Sequence, residues 1–407
     1  MLNKIRLFIK AIHNNIYLDE YTNRLIFVDK RNYIVNPLKF LLYKKKYPKL
    51  FNYLFPIFIL FSPLFSWLKI SLDFFKSLRL KIKYNKISNK SIFNVGNIIL
   101  YTDENVKYAV DKGRINNYCI VTKPFNTYVI DESRYGIPIS SLTLVSYKSL
   151  IMNYLISLVS VIMVICRYGY KNTLYSITSY EWLIMFDAMN SDLILKSKAV
   201  IFSNQKDRWS ILYDQKYKNI KILVQHGTNI VKKLDSAGVN LFFTYLEKHN
   251  SFALKVPVKY DNINCLIAFT NEEADHVIAG EFNVIPEIVD IMGYNIVINK
   301  IKRLDSRKVI LLIGKIDVFY EYEKVIINTI DYNKYKLFIK PHPNTQAYTY
   351  LPIYGEENIV NINPDADIII SYNSTLAFEY QSLGYNVYLY NSLENAREII
   401  NNLNALP

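Results

Sequence analysis

The amino-acid sequence predicts an α/β protein: two Rossmann-like units preceded by a basic N-terminal segment. Short β-branched runs alternate with longer helical stretches from about residue 95 onward, which is the pattern of parallel sheets covered by helices. The alternation breaks at a polar stretch, NKIKRLDSRK at 299–308, and then restarts. The chain has 407 residues and a net charge of +14, and that whole excess sits in residues 1–90, with 18 Lys+Arg against 4 Asp+Glu; the rest is neutral. The length allows two ordinary domains and an appendage, divided here as 1–90, 91–300 and 301–407.

The elements follow in order. In the first unit the expected strands are NIILYT (97–102), YCIVTK (118–123), TYVID (127–131), KAVIFSN (198–204) and KILVQHG (221–227), with helices over 148–168 and 179–192. CLIAFTNEEADHVIAG (265–280) reads as a strand, a turn with Asn271 as the cap and a helix, and VDIMGYN (289–295) as a strand ending at a glycine. The second unit runs through VILLIGK (309–315), a helix near 318–330, YKLFIK (335–340), NIVNI (358–362), DIIIS (367–371), a helix through 374–383 and NVYLY (386–390).

Two uncharged runs bear on membranes. Leu50–Leu68 is 19 residues long, enough to span a bilayer, but Pro56 and Pro63 interrupt it and basic residues flank it. A twice-broken helix leaves backbone groups unpaired in lipid. The preferred reading is an interfacial anchor on an anionic membrane surface, over a true span or a protein-packed segment. Ser149–Cys166 is the second run, and a buried helix of an α/β domain is preferred there over a span. Basic residues interleaved with long aliphatic runs, beside a neutral remainder, argue against nucleic acid as the partner. Cys119, Cys166 and Cys265 are scattered, which gives neither a disulfide framework nor a zinc site and suits a reducing compartment. The N-terminal MLNKIRLFIKAIHNN lacks the apolar core and cleavage site of a signal peptide.

Ligands of open α/β sheets bind at the carboxyl ends of the strands, so polar residues placed just after apolar runs are the candidates. His226 follows ILVQ, and Gly227 permits close backbone approach; a histidine there can take a proton from a hydroxyl or merely cap a strand end. Lys340 and His342 follow KLFI between stiffening prolines, an arrangement that suits charge developing on a phosphate leaving group, or a solvent-exposed turn. Gly314 ends the VILLI run, and Ser371 ends DIIIS. Asn373, Ser374 and Thr375 sit where a helix begins, with Glu379 about one turn on. Hydroxyls and N–H groups at a helix start bind phosphate, and the same residues serve as ordinary caps. No HxxxH, HxH, GxSxG, GxxxxGK[ST] or GxGxxG pattern occurs.

Taken in order, VQHGTN, LIAFTNEEADHVIAGEF, IMGYN, FIKPHPN and ADIIISYNSTLAFEYQSLGYNVYLY resemble bacterial GT-B transferases of surface-polysaccharide synthesis. These include capsule glycosyltransferases, polysialyltransferases and CDP-glycerol glycerophosphotransferases, and the resemblance covers roughly residues 220–390. It implies two Rossmann-like domains facing across a cleft, the second holding a nucleotide-sugar donor and the first a saccharide or lipid-linked acceptor. His226 becomes the candidate general base or phosphate ligand and His342 a donor-phosphate contact. Ser374 and Thr375 become phosphate ligands, and Glu379 a ribose contact. No bound metal or cofactor is implied. The implied location is the cytoplasmic face of the bacterial inner membrane, held peripherally, with a polysaccharide assembly complex as a further partner.

The chain departs from these patterns in three places. Asn229 follows Thr228 where a proline is usual, Lys340-Pro341 stands where an arginine precedes the His-Pro, and Gln225-His226 replaces an acidic pair. The nearest other acidic pair, Asp131-Glu132, is the reserve candidate for the base. Glycerophosphate transfer, and a non-catalytic scaffold, are the alternatives to glycosyl transfer.

Overall fold

A computed structural model describes residues 2–26, 57, 59–87, 96–100, 104–125, 138–203, 205–215, 218–227, 230–231, 242–294, 296–301, 303, 306–314, 320–342, 350, 354–372 and 374–406. The chain divides into two compact units. Unit 1 is Met1–His226 with Lys255–Met292, and unit 2 is Gly227–Leu254 with Gly293–Pro407.

Unit 1 is a seven-stranded, all-parallel sheet. Its strands are β1 (Asn97–Ile99), β2 (Tyr118–Thr122), β3 (Ile139–Ser140), β4 (Ala199–Phe202), β5 (Ile220–Val224), β9 (Cys265–Ala268) and β10 (Ile288–Ile291). They lie in the order β10-β9-β5-β4-β1-β2-β3. β4 and β9 are buried at every position, as parallel strands covered on both faces must be. That is why they read as unbroken apolar runs rather than alternating ones. Among the described residues, its helices of more than one turn are α1 (Leu2–Ile26), α2 (Ser62–Ile87), α3 (Glu104–Asp111), α4 (Tyr147–Tyr168), α5 (Ser179–Met189), α6 (Arg208–Tyr213) and α7 (Asn271–Glu281).

Helix α1 is part of the core of unit 1. Ile5, Phe8, Ala11 and Ile12 of α1 are buried in the same core as Trp182, Phe202 and Leu266. Asn14 fastens the helix by exchanging hydrogen bonds with the backbone of Val258, each 2.9 Å. One face of α1 is apolar enough to enter the core, a pattern that the total charge of the segment hides. In the uncharged run, 50–56 and 58 lie outside the described residues, and the remainder belongs to the helix leading into α2.

Unit 2 carries a four-stranded parallel sheet of β11 (Lys308–Ile313), β12 (Tyr335–Lys340), β13 (Ile368–Ser371) and β14 (Asn386–Leu389), ordered β12-β11-β13-β14. Helices α8 (Tyr320–Thr329), α9 (Thr375–Ser382) and α10 (Leu393–Ala405) accompany it. Ile310, Leu312, Leu337 and Ile370 face one core, while Leu311, Ile313 and Ile369 face another, as the two-residue alternation of a strand requires. A small antiparallel sheet, β6 (Ile230–Val231), β8 (Ser251–Leu254) and β7 (Phe243–Leu246), completes the unit; the sequence reading contains no counterpart to it. NIVNI is not a strand: a 3-10 turn at Glu356–Asn358 leads into a single bridge between Ile359 and Ile339. The expected strand TYVID lies outside the described residues.

Candidate functional site

The predicted residues fall at the carboxyl ends of the strands in each unit. In unit 1, His226 stands two residues beyond β5 with its side chain exposed. Its backbone is braced from the ends of β4, the adjacent strand, and β1, the next one beyond it. Asn105, at the start of α3 after β1, donates from Nδ2 to the carbonyls of Gln225 at 3.1 Å and His226 at 2.9 Å. Gln205, just after β4, accepts from the His226 N–H at 3.1 Å and donates to Glu281 Oε1 at 2.7 Å.

Beneath that loop Gln225 is fully buried, and its amide is used at both ends. Nε2 donates to Glu273 Oε2 at 2.9 Å, and Oε1 accepts from the Phe269 N–H at 3.1 Å. Glu273 is itself fully buried. It lies three residues after Thr270, whose hydroxyl caps α7 by accepting from the Glu273 N–H at 3.1 Å. Thr-x-x-Glu is the sequence of a capping box, yet here the carboxylate reaches Gln225. Glu281 continues the network: Lys206 Nζ lies 3.7 Å from its Oε1. Lys206 holds a left-handed backbone, φ 68°, a conformation that costs a non-glycine residue energy, and its N–H donates to Tyr260 Oη at 2.7 Å. Asn105, Gln205, Lys206, Gln225, Glu273 and Glu281 were all missed by sequence reasoning. The signal available was polar residues directly after apolar runs, in FSNQK as in LVQHG.

In unit 2 the strand ends converge in the same way. Gly314 follows β11, and its N–H donates to the Lys340 carbonyl at 2.8 Å. A β-carbon at Gly314 would lie 2.7 Å from Tyr350 Oη and 3.2 Å from the Lys340 carbonyl oxygen, so glycine is required by close approach rather than by its torsions. Ser371 is buried at the end of β13. Its hydroxyl lies 3.3 Å from the Ile313 carbonyl, to which it donates, and 3.1 Å from Ser374 Oγ. Ser374 caps α9, its Oγ accepting from the Ala377 N–H at 3.2 Å. Thr375 is the first residue of the helix. Within the same unit, a β-carbon at Gly227 would lie 3.5 Å from Thr375 Oγ1, which places the glycine of the His-Gly pair beside this helix start. Glu379, one turn on, is partly buried, and desolvation pushes its carboxyl up to about 7.

Two placements bear on the sequence reading. Lys340 ends β12, and its ammonium donates to the carbonyls of Asn361 and Ile362, at 2.7 and 3.2 Å. It therefore ties down the chain outside β12. Ser374 is engaged as a cap through an acceptor lone pair, the role expected of it alongside phosphate binding. His342 is half-buried directly after Pro341. Asn373, Asp131 and Glu132 lie outside the described residues.

No protein-family model matches the chain, and no curated protein sequence matches it. Among solved structures it is similar to the wall teichoic acid polymerase TagF, at 12% identity over 80% of this chain and 78% of that one, with a TM-score of 0.37. It is also similar to TarM, at 14% identity over 55% of this chain and 51% of that one, with a TM-score of 0.32; the match thus spans about half the length of TarM.

Proposed function

We propose that the protein is a metal-independent glycosyltransferase of GT-B type. It would move a sugar from a nucleotide-activated donor to a saccharide or lipid-linked acceptor in surface-polysaccharide synthesis. The observation that carries the reading is the set of strand ends in unit 2. Gly314, His342, Ser371 and the start of α9 lie together at the carboxyl edge of one parallel sheet, where such sheets bind ligands. The first turn of a helix presents N–H groups with no partner inside the helix, and its positive dipole end favours a phosphate. The close fit at Gly314 keeps side-chain bulk out of that edge.

In this reading the donor diphosphate lies over α9, with the Thr375 hydroxyl and His342 as its ligands. Glu379 in its ionised form accepts from a ribose hydroxyl. The acceptor hydroxyl oxygen attacks the anomeric carbon, and the bond from that carbon to the phosphate oxygen breaks. The hydroxyl proton passes to His226, and the nucleotide leaves with the electron pair. Donors placed at the oxygen that gains charge supply the stabilisation, and His226 supplies base catalysis worth roughly 100- to 10,000-fold. Glycerophosphate transfer from a CDP donor uses the same phosphate ligands, so donor identity is the discriminating measurement.

The test is transfer from CDP-glycerol and from CMP-, UDP- and GDP-sugars, with nucleotide binding measured in parallel. One nucleotide should bind, and Thr375→Val should weaken it about tenfold or more. His226→Ala should abolish transfer while leaving binding intact. Wild-type turnover in His226→Ala would remove the assignment of the base, and absence of any nucleotide binding would favour the scaffold.

A further inference from the structure

Helices α2 and α4 of unit 1 are apolar on the side turned outward as well as on the side packed into the protein. On α2, Leu64, Leu68, Leu72 and Phe75 follow one another at helical spacing and are 55–65% exposed. The opposite side, turned into the protein, buries Ser66, Asp73, Ser77 and Lys81 beside Ile70. Asp73 pairs with Lys69 of α2 at 2.5 Å, and Ser77 and Lys81 have partners inside. Ser77 Oγ lies 2.7 Å from Tyr180 Oη, and Lys81 Nζ donates to the Leu142 carbonyl at 2.8 Å. α4 likewise exposes apolar residues: Ile151, Leu155 and Ile162 are about half exposed, while Asn153, Ser157 and Ser160 are buried beside Leu150, Ile156, Val161 and Val164.

The two stripes are neighbours. Trp67 Nε1 of α2 donates to the Leu158 carbonyl of α4 at 3.1 Å, and Phe74 stacks on Tyr154 with centroids 4.5 Å apart. The result is a two-helix apolar face, larger than the isolated exposed side chains of an ordinary soluble surface. Its rim is basic. Lys69, Lys76 and Lys83 are exposed at seven-residue intervals, each directly after an exposed apolar residue of α2, which puts them in one row along the stripe. Lys148 and Arg167 are exposed at the two ends of the α4 stripe.

We propose that α2 and α4 seat unit 1 in one leaflet of an anionic lipid bilayer, with the leucine and isoleucine stripes in the upper acyl region and the lysine row among the headgroups. The charge pattern selects this occupant. An apolar face rimmed by lysine matches an anionic lipid surface, whereas a second copy packed face to face would oppose like-charged rows. The helices lie in the interface and do not cross it. α4 is long and apolar enough to span a membrane, but it is held to the protein along its length. Asn153 donates to the Leu183 carbonyl at 3.2 Å and to Asp187 Oδ2 at 2.9 Å. The segments on either side, the turns Ser141–Leu144 and Tyr170–Thr178, both pack back into unit 1. The inference is independent of the catalytic reading.

The test is sedimentation of the full chain with vesicles of phosphatidylcholine alone and of phosphatidylcholine with phosphatidylglycerol. The wild type should sediment with the anionic vesicles. Leu68→Glu/Phe75→Glu and Ile151→Glu/Leu155→Glu should each bind about tenfold more weakly or worse. Val284→Glu/Ile285→Glu, at an exposed apolar pair elsewhere on unit 1, should bind like the wild type. Lys69→Gln/Lys76→Gln/Lys83→Gln should lose the preference for phosphatidylglycerol. Circular dichroism should be unchanged, since the substituted positions face outward. If a glutamate variant does not fold, quenching of the wild type by brominated lipid gives a second reading. Trp182 and Trp209 are buried, so quenching reports Trp67. Failure of the wild type to bind anionic vesicles, or unaltered binding by both glutamate pairs, overturns the proposal. So does a solution dimer that Leu68→Glu/Phe75→Glu dissolves without any vesicle binding.

Discussion

The strand-end loops of the two units are held by opposite means. In unit 1, the loop after β5 is fixed by residues distant in sequence: Asn105, Gln205 and Glu273 grip Gln225 and His226. In unit 2, the loop after β13 is fixed mainly by its neighbours, with Ser371, Ser374 and the Ala377 N–H within seven residues. A loop of the first kind depends on a buried polar network, where an unmatched partner is costly. A loop of the second kind depends on a cap, which is only part-buried and cheaper to lose.

The largest expected effect tests the buried network. Gln225→Ala leaves the Glu273 carboxylate buried and short of a donor, and should cost about 3 kcal/mol in urea unfolding. Glu273→Gln in the same background should recover part of that loss by removing the charge, a coupling that a double-mutant cycle reads directly. Next is Gly314→Ala. The added methyl group meets Tyr350 Oη and the Lys340 carbonyl, and overpacking of this kind should cost about 2 kcal/mol. The cap comes third: Ser374→Ala should cost about 1 kcal/mol, and Ser374→Asp should restore stability. A loss for Ser374→Ala as large as that for Gln225→Ala would erase the distinction between the two loops.

The smallest effect is a pH dependence. Burial raises the Glu379 carboxyl from 4.5 to about 7 in the folded chain. The folded state therefore holds this proton more tightly than the unfolded state. Stability should fall as pH rises from about 4.5 to about 7 and be level above that. The loss should be on the order of 1 kcal/mol once partial solvent screening is allowed for. Glu379→Gln should abolish the slope in thermal melts between pH 5 and 8. If the ionised carboxylate receives a ribose hydroxyl, nucleotide affinity should rise over the same interval in the wild type alone.

The legible parts of the site were the local ones. Ser374 as a helix start and Gly314 as a glycine at a strand end can each be seen in fewer than ten residues, whereas the cap expected at Asn271 falls one residue earlier, on Thr270. Lys340 could not be placed in that way, because its carbonyl partners, Asn361 and Ile362, are reached only by the return of the chain along β12. The 299–308 stretch marked the last entry into unit 2, but the earlier excursion through 227–254 carried no comparable break in pattern. The core role of α1 was not legible for a related reason: summed charge records the exposed face of the helix, whereas the core takes the other face.

By itself, the sequence determined the α/β class, two parallel sheets and the strand ends at which His226, His342, Ser371 and Thr375 stand. These follow from hydrophobic period and turn chemistry, which act over a few residues. Only the tertiary structure decided that Gln225 and Glu273 meet, that Lys340 is tied to a neighbouring segment, and that α2 and α4 leave a row of apolar side chains facing outward. Those outcomes depend on which surfaces the rest of the chain covers. A helix rich in leucine and isoleucine looks the same in sequence whether all of those side chains are covered or one row of them faces outward.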